Sequence, residues 1–118
     1  MEFIQEKVKD VLVARVMEEN VTSHEAPVLK TSLLGLLMGD TRKVLLNLKE
    51  VKSMDSTGLG ALLFGIRQAE RYGKDLRFCE MQSKIQFLMR IAHLEDVIDV
   101  YETQQEALKD FEEEEADA

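Results

Sequence analysis

The stretch VKSMDSTGLGALL, Val51 to Leu63, sets one carboxylate, two hydroxyls and two glycines side by side as Asp55, Ser56, Thr57, Gly58 and Gly60. Three chemistries fit such a run. Asp, Ser and Thr are the residues that cap a helix start, where a side-chain oxygen accepts from orphan backbone N–H groups. A serine at that place is also a phosphate acceptor. Once phosphorylated it carries a near-dianion where the helix dipole favours negative charge. A serine beside an acid also raises acyl-transfer chemistry. The glycines, each of which disfavours a helix by about 1 kcal/mol against alanine, fit an accessible phosphate acceptor better than a simple cap. They serve either to pack the helix tightly on a sheet or to bare the backbone so that another protein's active site reaches the hydroxyl.

Most enzyme chemistries find no support. Gly58-Leu59-Gly60 lacks the third glycine of a dinucleotide fingerprint, because Leu63 stands there, and no GK[ST] follows to make a phosphate loop. His24 and His93 are far apart with no cysteine pair near them, so no metal site is expected. A Ser56–His93–Asp96 triad can be drawn, but no G-x-S-x-G elbow holds the serine. Cys79 is the single cysteine, lies in an apolar run, and reads as inert core. The expectation is a protein that is not an enzyme and holds no cofactor.

The elements around the run follow from periodicity. Phe3, Ile4 and Val8 belong to a first strand, VLVARV (11–16) to a second, with Lys9-Asp10 as the turn between them. MEENVTSHEA reads as a polar loop. A helix then runs to about Met38 on Ala26, Leu29, Leu33, Leu36 and Leu37. Its start has two solutions. Thr22-x-x-Glu25 has the form of a capping box, yet leaves Pro27 beyond the first turn; a start near Ser23 or His24 eases that conflict. KVLLNL (43–48) has the continuous apolar character of a strand covered on both faces. After a short link, the helix opened by Asp55-Ser56-Thr57 runs to about Tyr72, with Gly73 as its stop. LRFCEM (76–81), a helix from Ser83 to about Ala92, VIDVY (97–101) and a helix opened by Thr103-Gln104-Gln105-Glu106 complete the order ββαβαβαβα. That alternation predicts one α/β domain over 1–111 with a mixed sheet.

In the central helix, Leu59, Leu62, Leu63, Ile66 and Ala69 make the core stripe, and Phe64 falls about 140° from Leu59. Either a neighbouring helix covers Phe64, or Phe64 and Ala61 form an apolar spot beside Ser56 that suits a partner protein.

The chain has 118 residues and a formal net charge of -8, of which -5 lies in EEEEADA (112–118), so residues 1–111 carry only -3. The acidic end reads as a disordered, solvated tail. No basic patch is visible, so nucleic acid is not an expected partner. No apolar run approaches the roughly 18 residues of a membrane span. MEFIQEKVKD has no secretory pattern, so a cytoplasmic protein with no membrane partner is expected. The oligomeric state stays open.

The strand VLLNL, a short link and then M-D-S-T-G-L-G-A-L together resemble the STAS domain, the sulfate transporter and anti-sigma factor antagonist family, and most closely its free-standing bacterial anti-sigma factor antagonists. The resemblance covers nearly the whole chain apart from the acidic tail. It implies a mixed sheet with helices mainly on one face and a switch in a partner-switching pathway. The implied partner is an anti-sigma factor that is also a serine kinase, bound while Ser56 is unmodified and released when Ser56 is phosphorylated. A serine phosphatase acting on phosphorylated Ser56 would reset the switch and so regulate transcription. In this scheme Asp55 orients the Ser56 hydroxyl or the local backbone, Thr57 helps cap the helix and Leu59 anchors it. Gly58 and Gly60 allow close approach, and Thr22, Ser23, Ala61 and Phe64 join the partner-binding surface. Family members often carry a glycine-acid-x-aspartate turn before the first helix. This chain lacks the glycine and has Thr22 at the aspartate position, or Asn20 or Glu19 if the alignment shifts. That departure favours a second reading, a constitutive STAS subunit of a stress-signalling or lipid-transport assembly without phospho-switching. A nucleotide site ranks third, because Lys52 is the only cation beside the motif.

Overall fold

The computed structural model describes residues 2–117, with side chains over 3–114. The elements are β1 (Glu2–Val8), β2 (Val11–Met17), β3 (Asn20–Val21), α1 (Ala26–Leu37), β4 (Lys43–Asn47), β5 (Ser53–Met54), α2 (Ser56–Arg71), β6 (Asp75–Cys79), α3 (Ser83–Ile91), β7 (Val100–Tyr101) and α4 (Gln104–Asp117).

Continuous apolar runs build the centre. β4 is buried at every position, as a strand covered on both faces must be. It pairs in parallel with β2 on one side and β6 on the other, and β6 pairs in parallel with β7. β1 joins β2 antiparallel through the Val8–Val11 hairpin, where Lys9 takes a φ of 56°. The result is a five-stranded mixed sheet in the order β1-β2-β4-β6-β7. The period-two alternation of the strands then sorts the core. Ala14, Val16, Leu46 and Phe78 meet Leu29 and Leu33 of α1, Leu62 and Ile66 of α2, and Ile85 and Met89 of α3. Val11, Val13, Leu45 and Cys79 point the other way, under Ala107 and Phe111 of α4. Three helices on one face and one on the other form a single small α/β domain.

The structure departs from the sequence reading at four places. The helix α1 begins only at Ala26, with Pro27 in its first turn, where a missing N–H costs nothing. Residues 22–25 form a separate turn ahead of it, tied by Glu25 N–H and Ala26 N–H donating to Thr22 O at 3.1 and 2.9 Å. Within the loops, β3 and β5 pair in parallel as a second, two-stranded sheet. The last strand shrinks from 97–101 to Val100–Tyr101, because the chain turns through 95–97. Finally, α4 does not end at 111. It continues to Asp117, with Glu112 bound to Lys9 and Glu114 to Arg77, so the segment read as a tail over 112–118 continues the last helix to 117, and Ala118 lies outside the described residues. Among the described residues, no helix is long and apolar enough to cross a membrane.

Candidate functional site

The start of α2 is built by one carboxylate. Asp55 is extended (φ -99°, ψ -174°) and caps the helix. Its Oδ1 accepts from Thr57 N–H at 3.0 Å, Gly58 N–H at 3.0 Å and the Thr57 hydroxyl at 2.5 Å. Its Oδ2 accepts from Ser23 N–H at 3.2 Å. The Thr57 hydroxyl bond, the Gly58 N–H and further backbone bonds hold the Asp55 carboxyl below its ordinary range, against a smaller opposing effect of desolvation. Asp55 therefore orients backbone, on α2 and on the 22–25 turn at once. It does not hold the Ser56 hydroxyl. Thr57 helps the cap by bracing Asp55 rather than by accepting from the helix.

The two glycines separate. Gly58 is buried, and a Cβ there would stand 2.3 Å from the Val21 carbonyl oxygen and 2.7 Å from Met54 Cγ. The helix enters so close to β3 that only glycine fits. Gly58 thus serves packing inside the molecule and is not on a partner surface. Gly60 is exposed, and a Cβ there would meet nothing within 4 Å. It leaves α2 bare on the solvent side, one turn along from Ser56.

Ser56 is the first residue of α2 and is exposed. None of the described residues hydrogen-bonds its hydroxyl. Thr57 and Ser23 are exposed beside it, and Thr22 is half-buried. Ala61 is fully buried and cannot touch a partner. Phe64 is half-buried two turns along α2, about 12 Å from Ser56. Lys30 of α1 stands over its ring at 5.7 Å, so a neighbouring helix does cover it in part. The exposed set at this edge is therefore Ser23, Asp55, Ser56, Thr57 and Gly60.

The 22–25 turn is held by its own bonds. Thr22 N–H and the Thr22 hydroxyl both donate to Glu25 Oε1, at 2.9 and 2.7 Å. These bonds, the hydroxyl's first, lower the Glu25 carboxyl below its ordinary range. The T-x-x-E pattern had marked both residues, although as a helix cap. Below the turn, Ser53 Oγ donates to Asn20 Oδ1 at 2.5 Å and Lys52 pairs with Glu19 at 3.0 Å. Nothing in the sequence announced the role of Val21, whose carbonyl accepts from Asp55 N–H at 3.3 Å and crowds Gly58. His93 lies past the end of α3, while Ser56 opens α2. No group of three or more His, Cys, Asp or Glu among the described residues could hold a metal ion.

Solved structures share this architecture. A candidate anti-sigma factor antagonist of Thermotoga maritima superposes with a TM-score of 0.80 at 22% identity, covering 92% of each chain. An anti-sigma-factor antagonist (STAS) domain protein of Planctomyces limnophilus gives 0.80 at 19% identity, covering 90% of this chain and 94% of that one. The Bacillus cell fate determinant SpoIIAA, solved in its phosphorylated form, gives 0.68 at 17% identity over 93% and 99%. At these identities the likeness is one of fold. The family model of the STAS domain matches residues 3–107. With its mixed sheet, its three helices on one face and the Asp55-capped start of α2, this chain belongs to the STAS domain family.

Proposed function

We propose that the chain is an anti-sigma factor antagonist that works by partner switching. One observation carries the reading: at an edge where Asp55 holds Thr57 and Ser23, and Thr22 is engaged with Glu25, the Ser56 hydroxyl stays exposed and uncommitted. A kinase can take it without breaking the cap. The γ-phosphoryl group of ATP passes to Ser56 Oγ, the hydroxyl proton goes to a base on the kinase, and ADP leaves. Water on a phosphatase later cleaves the phosphate as inorganic phosphate and restores the hydroxyl. The partner is an anti-sigma factor kinase that holds the unmodified form. After transfer, about two added negative charges beside the Asp55 carboxylate are repelled and desolvated in the interface, and the partner lets go. A tenfold loss of affinity needs only about 1.4 kcal/mol of that repulsion.

The neighbour solved in a phosphorylated form supports the reading by analogy. The shape of the edge supports it too. A cleft of about 380 Å³ between α3 and β7 is lined by other residues, while Ser56 stands exposed at the start of α2, where a protein reaches it more readily than a small molecule is enclosed. On this reading the chain is not itself an enzyme, its work is cytoplasmic, and its output is transcription. The constitutive-subunit alternative draws on one feature: position 22 holds a threonine, not a carboxylate that could meet a kinase, and its hydroxyl is spent on Glu25.

Affinity capture from lysate of the source organism, with wild-type, Ser56→Ala and Ser56→Asp baits, tests the reading. Retention of a kinase by Ser56→Ala and its loss by Ser56→Asp is the expected result. Equal retention by all three baits makes Ser56 an ordinary helix residue and favours the constitutive subunit.

A further inference from the structure

The far face of the sheet holds a group that the switch does not use. Arg77 of β6 is only 3% exposed, yet it is charged. Its Nε and Nη2 donate to the two oxygens of Asp75 at 2.9 and 2.8 Å. Its remaining donors reach α4 and its neighbourhood: Nη1 to Asp110 at 3.3 Å and to the Tyr101 hydroxyl at 3.1 Å, and Nη2 to Glu114. The guanidinium carbon also lies 3.9 Å from the centre of the Phe111 ring. Burial works against the charge, but the carboxylates of Asp75 and Glu114 outweigh it.

The helix these bonds hold is poorly suited to stay by itself. Its apolar anchors are Ala107, Phe111 and the half-buried Leu108. From position 110 onward it carries Asp110, Glu112, Glu113, Glu114, Glu115 and Asp117. Acids at the negative end of a helix dipole are unfavourable, as are like charges four apart such as Asp110 and Glu114. Lys9 and Lys109 offset part of this through exposed pairs at 2.7 and 3.9 Å. Exposed pairs contribute little. Arg77 differs because its own side chain is 4% exposed, although Asp110 and Glu114 are 41% and 57% exposed, so withdrawing both carboxylates leaves the buried cation with Asp75 and the Tyr101 hydroxyl alone. The start of α4 is tied separately, Gln104 N–H donating to Glu80 and Asn47 Nδ2 to Gln104, so the ionic attachment of its middle and end is concentrated in Arg77.

We propose that α4 is a releasable strap, latched by Arg77 through Asp110 and Glu114, which opens without unfolding the sheet and then bares Val11, Val13, Leu45 and Cys79 on the face opposite Ser56. The closed strap keeps a second apolar face out of reach, and the open strap presents it with Arg77 at its side. This inference concerns the other face of the molecule and does not depend on phosphorylation of Ser56.

Cys79 reports the opening. It is the sole cysteine and fully buried beneath α4, and burial pushes its thiol up to about 12, so the closed form resists thiol reagents. The test is the rate of Cys79 labelling by Ellman's reagent, alongside hydrogen exchange of α4 and β4 amides, on the full chain. In the wild type, α4 amides and Cys79 are expected to open together, about tenfold or more faster than β4 amides exchange. Asp110→Asn with Glu114→Gln speeds labelling several-fold and leaves β4 exchange unchanged; Arg77→Met speeds it further. Labelling and α4 exchange that keep pace with β4 in the wild type overturn the proposal. So does a double variant that labels at the wild-type rate. If Arg77→Met does not fold, the wild-type exchange and the double variant decide the matter.

Discussion

The Asp55 carboxylate spans two elements that are 32 residues apart in sequence, capping α2 with one oxygen and accepting Ser23 N–H at 3.2 Å with the other. The start of α2 and the 22–25 turn are therefore one unit, and Ser56 sits on it with its hydroxyl free. On the proposed reading, in which Ser56 accepts a phosphate, this mount keeps the same geometry in both states and the energetic difference between them falls on the added charge.

Replacing Asp55 separates its acceptor role from its charge. Asp55→Ala removes the side-chain acceptors at the cap and the bond to Ser23, and is expected to lower the Tm by a few degrees. Asp55→Asn keeps one carbonyl oxygen for Thr57 and Gly58 N–H, and recovers most of that loss. Calorimetry on the two variants reads the difference. Equal losses would mean that the charge, not the accepting geometry, holds the helix start.

The paired glycines give opposite signs. Gly58→Ala forces a methyl against the Val21 carbonyl at 2.3 Å, and backbone cannot step aside as a side chain would. A destabilisation of about 1–3 kcal/mol is expected. Gly60→Ala meets nothing within 4 Å and gains helix propensity, so it is expected to stabilise by about 0.5–1 kcal/mol. Urea denaturation of both variants checks the pair. A stabilising Gly58→Ala would contradict the close approach of α2 to β3.

These glycines also mark the limit of what could be read from the residues alone. The runs around Val11, Leu45 and Phe78 revealed their strands because a strand buried on both faces needs continuous apolar residues. The Asp55 cap was legible because capping is local. Gly58 was ambiguous, since its reason is a carbonyl at Val21, brought there by two-residue strands with no periodicity of their own. The contacts of the α4 end were not legible for a similar reason. Its acids look like a solvated tail until β6 folds Arg77 beneath them. Pro27 carried the missing information about α1, and the competing T-x-x-E pattern belonged to a separate turn.

That separate turn can be loosened selectively. Thr22→Val keeps the branched shape and removes the hydroxyl that donates to Glu25 at 2.7 Å. The Glu25 carboxyl is then expected to rise toward its ordinary value of 4.5, because that bond is the largest cause of its depression. Asp55, which makes no bond to Thr22, should titrate as before. Side-chain carbon NMR across the acid range resolves the two. An unmoved Glu25 would shift the credit to the backbone N–H.

The same two carboxyls make stability depend on pH with a defined sign. Asp55 and Glu25 both lie below their ordinary values of 3.8 and 4.5 in the folded chain. In the window just under those values the unfolded chain binds protons more readily than the folded one, so stability rises with pH there. The contribution is complete above the ordinary values and is lost as pH falls through the depressed folded ones. Other carboxylates add to acid unfolding, so the measurement is a difference. Between about pH 6 and pH 3, the urea midpoint of the wild type should fall further than that of Asp55→Asn combined with Thr22→Val. The variant has no ionisable group at 55 and a less perturbed Glu25, and therefore less to lose. Parallel declines in the two proteins would mean that the Asp55 and Glu25 bonds form equally well in the unfolded chain.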